Sequence, residues 1–515
     1  MTTLTTSLFD QGPPPLCPQA FNMAAHVLAL ADSLADKPAL EVISETGVQI
    51  WRYSELKSAI LGTATGLLEA GLTPGDHVLM RLGNTVDFPF AYLAAIAVDL
   101  VPVPTSTQLT EPEVARMIDT LAPAAVLHDP DVPTASAPAA KTLTTQDLLQ
   151  MRSLPPAEFS LGDPNRPAYI IYTSGTSGQP RAVQHAHRAI WARQMMLDGW
   201  YGLRTEDRLL HAGAFNWTFT LGTGLMDPWT IGATALIPAP DTAPAALPDL
   251  LRAHQATLFA AAPGVYRKML DTPATPALPA LRHGLCAGEK LSEPLRKRWN
   301  AATGTKLYEA FGMSECSTFI SASPEAPAPA DTLGQPQTGR RVAILTDGAP
   351  APLGTPGVIA IHRSDLGLML GYFDAPDATA ARFDGEWFLT GDLGAMDAQG
   401  HITYLGRADD MMNAGGFRVS PLEVEAALLN HPHISTLAVT DVEIKADTRV
   451  IAAFYTADHD LVEADLKAFA AARLARYKQP RLYIRLPILP TNANGKLNRR
   501  ALRADFETQT LKATP

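Results

Sequence analysis

A loop of small, hydroxyl-bearing residues is the first part of this sequence with the composition of a binding site. The apolar segment Ala168–Tyr172 predicts a buried strand, which runs into the sequence TSGTSG and then Gln-Pro-Arg. Glycine lets successive backbone N–H groups point into one concavity, and serine and threonine hydroxyls add hydrogen-bond donors. With the fixed charge of Arg181 this loop suits a polyphosphate, although it lacks the Gly-Lys-Ser/Thr ending of a Walker loop. The alternative is a polar surface turn.

The segment Lys306–Glu315 ends a second predicted strand with groups that complement the loop. Phe311 offers an aromatic face on which a base could stack, and the Ser314 hydroxyl could bond a phosphate oxygen. Glu315 supplies the hard oxygen ligand that suits a Mg²⁺ ion bridging phosphates. Taken by itself, Glu315 would be explained as an acid at a helix N-terminus.

The segment YTSGTSGQPR resembles the phosphate loop of the adenylate-forming superfamily, which contains acyl- and aryl-CoA ligases, peptide-synthetase adenylation domains and luciferases. Further matches follow in the family's order and extend over most of the chain: FGMSE at Phe311–Glu315, TGD at Thr390–Asp392, GRADD at Gly406–Asp410 and GK at Gly495–Lys496. Each match is weak alone, and together they are specific.

This resemblance implies a nucleotide site assembled from several segments. The phosphates would be held by Arg181 and by Thr173, Ser174, Gly175, Thr176, Ser177 and Gly178, with Glu315 and Thr176 as the ligands of Mg²⁺. Adenine and ribose would contact Ala287, Gly288, Glu289, Glu309, Ala310, Phe311, Gly312, Asp392, Tyr404, Arg407 and Arg418. Asp392 suits the ribose because a carboxylate can accept both hydroxyls. Without the resemblance it would be a common turn residue.

The resemblance also implies where the acid, the thiol and the moving parts lie. The acyl pocket would include Phe215, Trp217, Gly312 and Met313, although the aromatic segment 215–224 is equally well explained as core. Gly415 and Gly416 would line a coenzyme A tunnel, and Asp409 would be the hinge. Relatives confined to acetate carry tryptophan where this chain has Gly312, so we expect room for a longer or flatter acid.

The residues expected to act in catalysis are Lys496, Glu315, Ser314 and Arg181. Lys496 would touch the substrate carboxylate and the α-phosphate, stabilising charge at the attacking and bridging oxygens. The chain departs from the family where Arg181 replaces the usual lysine, Ala182 the usual glycine and Ser314 the usual threonine. Arginine keeps the charge but is larger and planar, so it would grip phosphate by a different geometry.

The expected function is an ATP-dependent acyl-CoA ligase, in which a carboxylate attacks the α-phosphate and coenzyme A then attacks the acyl-adenylate. A medium-chain aliphatic or aromatic acid is favoured as the substrate. Three alternatives share the motifs: an enzyme that loads a carrier protein, a luciferase-like oxygenase and a non-catalytic nucleotide-binding relative. A homodimer is left open.

The elements that must position these residues predict an α/β protein. Its 515 residues suggest two to four structural units. Strands alternating with helices in the first half predict helix-covered, parallel sheets, followed by a β-rich subdomain after residue 357. We expect an adenylation domain at 1–406, a hinge at 407–410 and a small, mobile α+β lid at 411–515.

Local patterns predict individual elements. Helices are expected at 22–34, at 88–98 and at 189–200, with Ser54 capping a further helix, and residues 129–145 are expected to form a surface connection. Residues 422–515 are expected to run helix, strand, strand, helix, strand.

Composition excludes several other classes. A net charge of −11 argues against a nucleic-acid-coating surface. The three cysteines, Cys17, Cys286 and Cys316, are far apart and lack CxxC spacing, which fits a reducing cytoplasm rather than a disulfide framework or a zinc site. The most apolar run, 91–98, is too short to span a bilayer, and no secretory leader is expected.

Overall fold

A computed structural model of the chain describes residues 4–173, 181–240, 242–271, 277–408, 410, 412–414, 417–445, 448–474, 476–491 and 497–512. The architecture is mixed α/β, with a large N-terminal domain and a small C-terminal domain. Among the described residues, no helix has both the length and the apolar character needed to cross a membrane.

The elements of residues 4–240, in chain order, are β1 (Leu8–Asp10), α1 (Met23–Val27), β2 (Pro38–Ile43), β3 (Val48–Arg52), α2 (Tyr53–Glu69), β4 (His77–Arg81), α3 (Asp87–Ala97), β5 (Val101–Pro104), α4 (Glu111–Leu121), β6 (Ala125–His128), β7 (Lys141–Thr144), α5 (Thr145–Met151), β8 (Pro167–Thr173), β9 (Arg181–Ala186), α6 (Arg188–Ala192), β10 (Arg208–His211), α7 (Asp227–Thr230) and β11 (Thr234–Pro238). Two π-helical segments, Leu197–Tyr201 and Thr220–Met226, lie among them.

The elements of residues 242–408 are α8 (Leu247–Ala253), β12 (Leu258–Ala261), α9 (Pro263–Leu270), β13 (His283–Ala287), α10 (Glu293–Thr303), β14 (Lys306–Met313), β15 (Ser317–Ser321), β16 (Gln335–Pro336), β17 (Arg341–Thr346), β18 (Ala349–Pro350), β19 (Gly357–His362), β20 (Gly371–Tyr372), α11 (Pro376–Ala380), β21 (Phe383–Asp384), β22 (Trp387–Met396) and β23 (Ile402–Arg407). Short 3₁₀ turns occupy Pro244–Ala246 here and Arg476–Lys478 in the C-terminal part.

The C-terminal elements are β24 (Met412–Ala414), β25 (Phe417–Val419), α12 (Pro421–Leu428), β26 (Thr436–Lys445), β27 (Thr448–Thr456), α13 (Glu463–Ala471), β28 (Leu482–Arg485) and α14 (Arg499–Lys512). Strand β26 pairs with β27 in antiparallel fashion, and β28 joins β27 in parallel. The Ser420 hydroxyl donates a hydrogen bond to the Leu405 carbonyl, which ties the start of α12 to β23.

A nine-stranded sheet dominates the N-terminal domain, in the order β16-β15-β14-β13-β12-β10-β11-β2-β3. The six strands from β14 to β2 run parallel, and β12 and β13 are buried along their whole length, as expected of a sheet covered on both faces. The carboxyl ends of these strands lie at one edge, where ligands bind in open α/β sheets. Strand β14 therefore delivers Phe311 and the residues after it to this edge.

Two smaller sheets complete the first half of the chain. Strands β5, β4, β6 and β7 form a parallel sheet, and β8 and β9 form a hairpin whose outer neighbour is β20. Ile170 and Ala182 of the hairpin pack into the same core cluster as Leu79 and Val103 of the parallel sheet. The hairpin is thus anchored on the large domain, and its loop end, Thr173 opposite Arg181, projects from it.

A seven-stranded antiparallel sheet forms the β-rich part of the domain. Its order is β1-β17-β19-β22-β21, with β18 on β17 and β23 on β22. Strand β22 alternates buried and half-buried side chains along its ten residues, the pattern of an antiparallel strand with one face on the core. This sheet places Asp392 of β22 directly opposite Arg407 of β23.

Several local expectations are corrected by the structure. The helix expected at 22–34 ends at Val27, with Asn22 accepting hydrogen bonds from Ala24 and Ala25 as its N-cap. Helix α2 starts after Arg52, so Ser54 lies inside the helix and is not its cap. The helix expected at 189–200 is split into α6 and a π-helical segment. The connection expected at 129–145 contains strand β7, and the C-terminal part adds helix α14, which the local pattern did not predict.

Candidate active site

The β8–β9 hairpin presents the predicted phosphate loop. Thr173 and Arg181 form the last residue pair of this hairpin before its loop. The predicted phosphate-loop residues Ser174, Gly175, Thr176, Ser177 and Gly178 lie outside the described residues. The Arg181 guanidinium carbon lies 4.9 Å from the centroid of the Tyr372 ring, on the neighbouring strand β20. The fixed charge at the end of the loop is therefore packed against an aromatic face.

The turn between β14 and β15 carries Ser314 and Glu315. The Ser314 carbonyl accepts a hydrogen bond from Nε2 of His185, at 2.7 Å. Burial lowers the pKa of His185 to about 4, so the imidazole is neutral and holds its proton on Nε2. The Ser314 side chain is exposed. His185 thus holds the backbone of the turn, while the Ser314 side chain remains exposed.

Glu315 is held at two points. Its carboxylate Oε1 accepts a 2.7 Å hydrogen bond from the Tyr372 hydroxyl, and its backbone carbonyl accepts one from Met369 N–H. Within the described ranges, no cluster of three histidine, cysteine, aspartate or glutamate side chains could hold a metal ion. A half-buried carboxylate with one oxygen already bonded fits a Mg²⁺ ion whose remaining ligands are phosphate and water oxygens.

A second group of predicted residues meets around Tyr404. The Tyr404 hydroxyl donates to Asp392 Oδ1 at 2.8 Å, and Arg407 Nη1 lies 3.9 Å from Asp392 Oδ2. The Tyr404 and Phe311 rings are 5.4 Å apart. Burial raises the pKa of Tyr404 well above its usual value, so the phenol remains a donor. The structure therefore brings the predicted base-stacking ring and the predicted ribose carboxylate together.

The predicted adenine turn follows β13, which pairs with β14 so that Ala287 lies opposite Ala310. Gly288 has φ of +95°, a conformation that favours glycine, and it is exposed, with Glu289 half-buried beside it. The turn thus lies next to Phe311 at the carboxyl edge of the sheet.

Glu309 has a structural position that the sequence did not predict. Its carboxylate is 2% exposed, accepts a hydrogen bond from Leu291 N–H at 2.8 Å and lies 3.4 Å from Arg296 Nη2. Its backbone carbonyl accepts from Ala322 N–H. These groups are engaged within the protein, so the Glu309 side chain is a core anchor of β14 rather than a nucleotide contact.

The predicted acyl-pocket residues separate into core and surface. Phe215 is 1% exposed and belongs to the main core cluster, as the structural alternative predicted. Trp217 and Met313 are half-buried, and Trp217 packs edge-on against Phe219 at 5.1 Å. The segment continues into the π-helical turn Thr220–Met226, a geometry that is frequent at functional sites.

The space for a longer or flatter acid that was expected at Gly312 does not exist, so this expectation was wrong. A Cβ atom at this position would lie 2.1 Å from the Ser317 carbonyl oxygen and 2.5 Å from Thr318 Cα. The strand pair is irregular here, with a register shift between Phe311 and Gly312. Gly312 is required because the backbone of β15 fills the space that a side chain would take, so its lack of a side chain carries no information about the acid.

The predicted hinge residue Asp409, the predicted tunnel residues Gly415 and Gly416, and the predicted catalytic Lys496 lie outside the described residues. For Arg418 only the backbone is described, in β25 opposite Asn413. These positions stay predictions.

Three residues near the site were missed. Tyr372 was considered only as part of a β-rich subdomain, yet β20 pairs with β9 of the phosphate hairpin. His185 supports the Ser314 carbonyl. Arg499 pairs with the buried carboxylate of Glu425, at 2.7 Å, at the start of the helix that follows Lys496. No spacing in the sequence links these partners, because each pair joins residues more than 50 positions apart.

Several known proteins are similar to this chain over nearly its whole length. The chain is 30% identical to a benzoate–CoA ligase of Thauera aromatica over 98% of this chain and 100% of that protein. It is 28% identical to the human mitochondrial acyl-coenzyme A synthetase ACSM2A, over 94% and 91% of the two chains. The structure resembles a benzoate CoA ligase from Burkholderia xenovorans LB400 with a TM-score of 0.83 and 27% identity, covering 94% of this chain and 100% of that one.

The fold alone is also shared with the anthranilate CoA ligase AuaEII in complex with anthranoyl-AMP, with a TM-score of 0.87 at 23% identity over 96% of this chain and 99% of that chain. The profile of the AMP-binding enzyme family matches residues 29–373, and that of the AMP-binding enzyme C-terminal domain matches residues 423–496. The chain therefore belongs to the AMP-binding enzymes, the adenylate-forming superfamily of acyl- and aryl-CoA synthetases.

Proposed function

We propose that this protein is an AMP-forming carboxylic acid–CoA ligase that activates an aromatic or medium-chain acid with ATP. The observation that carries the proposal is the meeting of Phe311, Tyr404 and Asp392 at the end of the strand that leads into Glu315. A stacking ring, a ribose-binding carboxylate and a metal-binding carboxylate are the parts that a nucleoside triphosphate needs.

The first half-reaction is adenylation. The carboxylate oxygen of the acid attacks the α-phosphorus of ATP, the bond to the bridging oxygen breaks, and pyrophosphate leaves. Thr173, Ser174, Thr176 and Arg181 would hold the phosphates, and Glu315 would hold Mg²⁺, which would neutralise phosphate charge when bound. Lys496 stabilises the attacking and bridging oxygens. The protein contributes positioning and positive charge, which is the usual protein contribution in phosphoryl chemistry.

The second half-reaction is thioester formation. The C-terminal domain turns about Asp409, so that Lys496 withdraws and the face of Gly415 and Gly416 meets coenzyme A. The thiol sulfur attacks the acyl carbon, AMP leaves, and the proton of the thiol is released. Alternating closure of a small domain over one site is an established way to run two reactions in sequence.

The acid is assigned from the relatives and from the half-buried surface that the chain offers. Benzoate, 3-hydroxybenzoate and anthranilate stand in the names of similar ligases, alongside the acyl-coenzyme A synthetases. Trp217 and Met313 are half-buried apolar side chains, and Met313 lies two residues after Phe311 at the end of β14. An apolar wall suits a flat ring or a medium alkyl chain better than acetate, which buries little apolar area.

The protein is expected to work in a reducing compartment such as the cytoplasm, a proposal supported by Cys17, Cys286 and Cys316 all being free thiols. A homodimer stays a prediction, which light scattering on the purified protein would check.

The test is acid-dependent ATP–pyrophosphate exchange with Mg²⁺ present and coenzyme A withheld. We expect exchange with benzoate or octanoate and little with acetate, and its loss in Lys496→Ala. Asp392→Asn should raise the KM for ATP by about 10- to 100-fold, because a hydrogen bond to a charged group is worth about 1.5–3 kcal/mol. Asp397→Asn, on the exposed turn of the same hairpin, is the matched control and should leave that KM unchanged.

Adding coenzyme A should then produce the acyl-thioester. Exchange without a coenzyme A product would assign the acceptor to a carrier protein, and light emission would assign a luciferase-like reaction. Absence of exchange with every acid, in a folded protein, would contradict the proposal.

A further inference from the structure

Three side chains of different chemistry lie in a row that ends at the carboxylate proposed to hold Mg²⁺. The Tyr372 hydroxyl donates to Glu315 Oε1 at 2.7 Å, and the Arg181 guanidinium lies against the Tyr372 ring at 4.9 Å. One end of the row is the cation at the end of the phosphate loop, and the other end is the carboxylate assigned to Mg²⁺. Tyr372 thus contacts both of these groups.

The backbone around Tyr372 is built to hold this row. Strand β20 pairs with β9, and the flanking N–H groups of Leu370 and Phe373 donate to the carbonyls of Gln184 and Ala182. One residue earlier, Met369 N–H donates to the Glu315 carbonyl. A single five-residue segment, 369–373, therefore spans from the phosphate hairpin to the turn that carries Glu315.

A buried ion pair fixes the start of this segment. Arg340 and Asp365 are both fully buried and bonded to each other, and Arg188 donates to the backbone carbonyls of Leu366 and Leu368. The segment that presents Tyr372 is therefore anchored at its start by contacts that do not involve the site.

Tyr372 is suited to a constant donor role. Tyr372 is 6% exposed, and a phenol ordinarily has a pKa of about 10. The phenol therefore keeps its proton at any physiological pH. A donor that always occupies one carboxylate oxygen orients the other oxygen for a hard cation, as outer-shell partners of metal ligands do.

We infer that Tyr372 is a positioning residue for the Mg²⁺–ATP complex, which orients Glu315 and at the same time seats Arg181. This inference rests on the proposed function. It also gives a physical reason for the arginine that departs from the family's lysine, because a planar guanidinium stacks on an aromatic face as well as binding phosphate.

The experiment measures binding of the non-cleavable analogue α,β-methylene-ATP by calorimetry at stepped Mg²⁺ concentrations, with AMP as the comparison ligand. Tyr372→Phe keeps the ring under Arg181 and removes only the hydroxyl. Analogue affinity should increase with Mg²⁺ concentration and then reach a plateau. We expect Tyr372→Phe to raise the Mg²⁺ concentration at the midpoint of this increase by about 10- to 100-fold. AMP binding should be unchanged, because AMP lacks the β- and γ-phosphates.

Tyr53→Phe is the matched control. The Tyr53 hydroxyl is also buried and also makes one hydrogen bond, to the Ala233 carbonyl at 2.7 Å, but it lies away from the site. It should lose comparable stability and keep the Mg²⁺ dependence of the wild type. Thermal unfolding of both variants gives the stability that each has lost. A change in Mg²⁺ dependence can therefore be separated from a loss of stability.

A double-mutant cycle tests whether the Tyr372 ring seats Arg181. Arg181→Lys should weaken analogue binding in the wild-type background. The same change should weaken binding less in a Tyr372→Leu background, which lacks the aromatic ring. A Tyr372→Phe protein with the wild-type Mg²⁺ dependence would overturn the inference while leaving the ligase assignment intact. A wild-type protein that binds neither the analogue nor AMP would instead overturn the proposed function.

Discussion

Replacing Gly312 with alanine is expected to damage the active site through the backbone. An added Cβ would lie 2.1 Å from the Ser317 carbonyl oxygen and 2.5 Å from Thr318 Cα, where ordinary contact begins near 3.4 Å. Both neighbours are main-chain atoms of β15, so no rotamer change can relieve the overlap. The two strands must separate by about 1 Å, a form of overpacking that costs about 1–3 kcal/mol.

The displacement falls on the turn that carries Ser314 and Glu315. A misplacement of about 1 Å at a reacting centre can cost about 10²-fold in rate. We therefore expect Gly312→Ala to lower acid-dependent ATP–pyrophosphate exchange by about two orders of magnitude. Thermal unfolding and hydrogen exchange across β14 and β15 measure the structural part of the effect.

Gly264→Ala is the control. Gly264 lies in helix α9, and a Cβ there meets no atom within 4 Å. This change should leave exchange intact and raise stability by up to about 0.5 kcal/mol, since alanine is the better helix former. If Gly312→Ala matched Gly264→Ala in both exchange and stability, the close approach of the two strands would be refuted.

Two further predictions concern buried charge. Because the folded pKa of His185, about 4, lies below its ordinary 6.5, stability is lost as pH falls through this window. In His185→Gln the glutamine amide can still donate to the Ser314 carbonyl, but it does not titrate. Between pH 7.5 and pH 5 the free energy of unfolding, measured with urea, should therefore fall by about 2 kcal/mol less in this variant than in the wild type. Equal decreases in the two proteins would contradict a buried, neutral His185. Arg499→Met should cost about 3–5 kcal/mol by stranding the buried Glu425 carboxylate, and Glu425→Gln in the same chain should restore part of it, as measured by hydrogen exchange of α12 and β26. Additive losses would show that the two side chains do not interact.

Much of the site was predictable because the residues that suit it chemically occur in short, contiguous sequence motifs. The run of serine, threonine and glycine before Arg181, the Phe311–Glu315 segment and Asp392 each have residue types that suit one part of ATP. Their order along the chain identifies the family, and alternating strands and helices predict the parallel sheets that carry them. These features depend on neighbours in sequence, so they need no knowledge of packing.

The incorrect predictions of local structure share a physical cause, because contacts with other parts of the chain override the preference of the local sequence. Ser54 has good capping chemistry, yet the N-cap of α2 is Arg52, two residues earlier, whose backbone N–H donates to the Glu55 carboxylate. Helix α14 has weak amphipathic patterning, and it is held in place by the Arg499–Glu425 pair and by packing on β26. Neither partner is close in sequence.

The sequence by itself determined the chemistry that the chain could perform, since residue type decides which groups can bind phosphate, ribose and metal. Only the tertiary structure decided which of those residues are free to do so. It turned the Glu309 carboxylate inward onto Arg296, filled the space at Gly312 with the backbone of β15, and set Tyr372 between Arg181 and Glu315. The reason is that orientation and free volume arise where strands from distant parts of the chain meet, and no local pattern records which atoms will meet there.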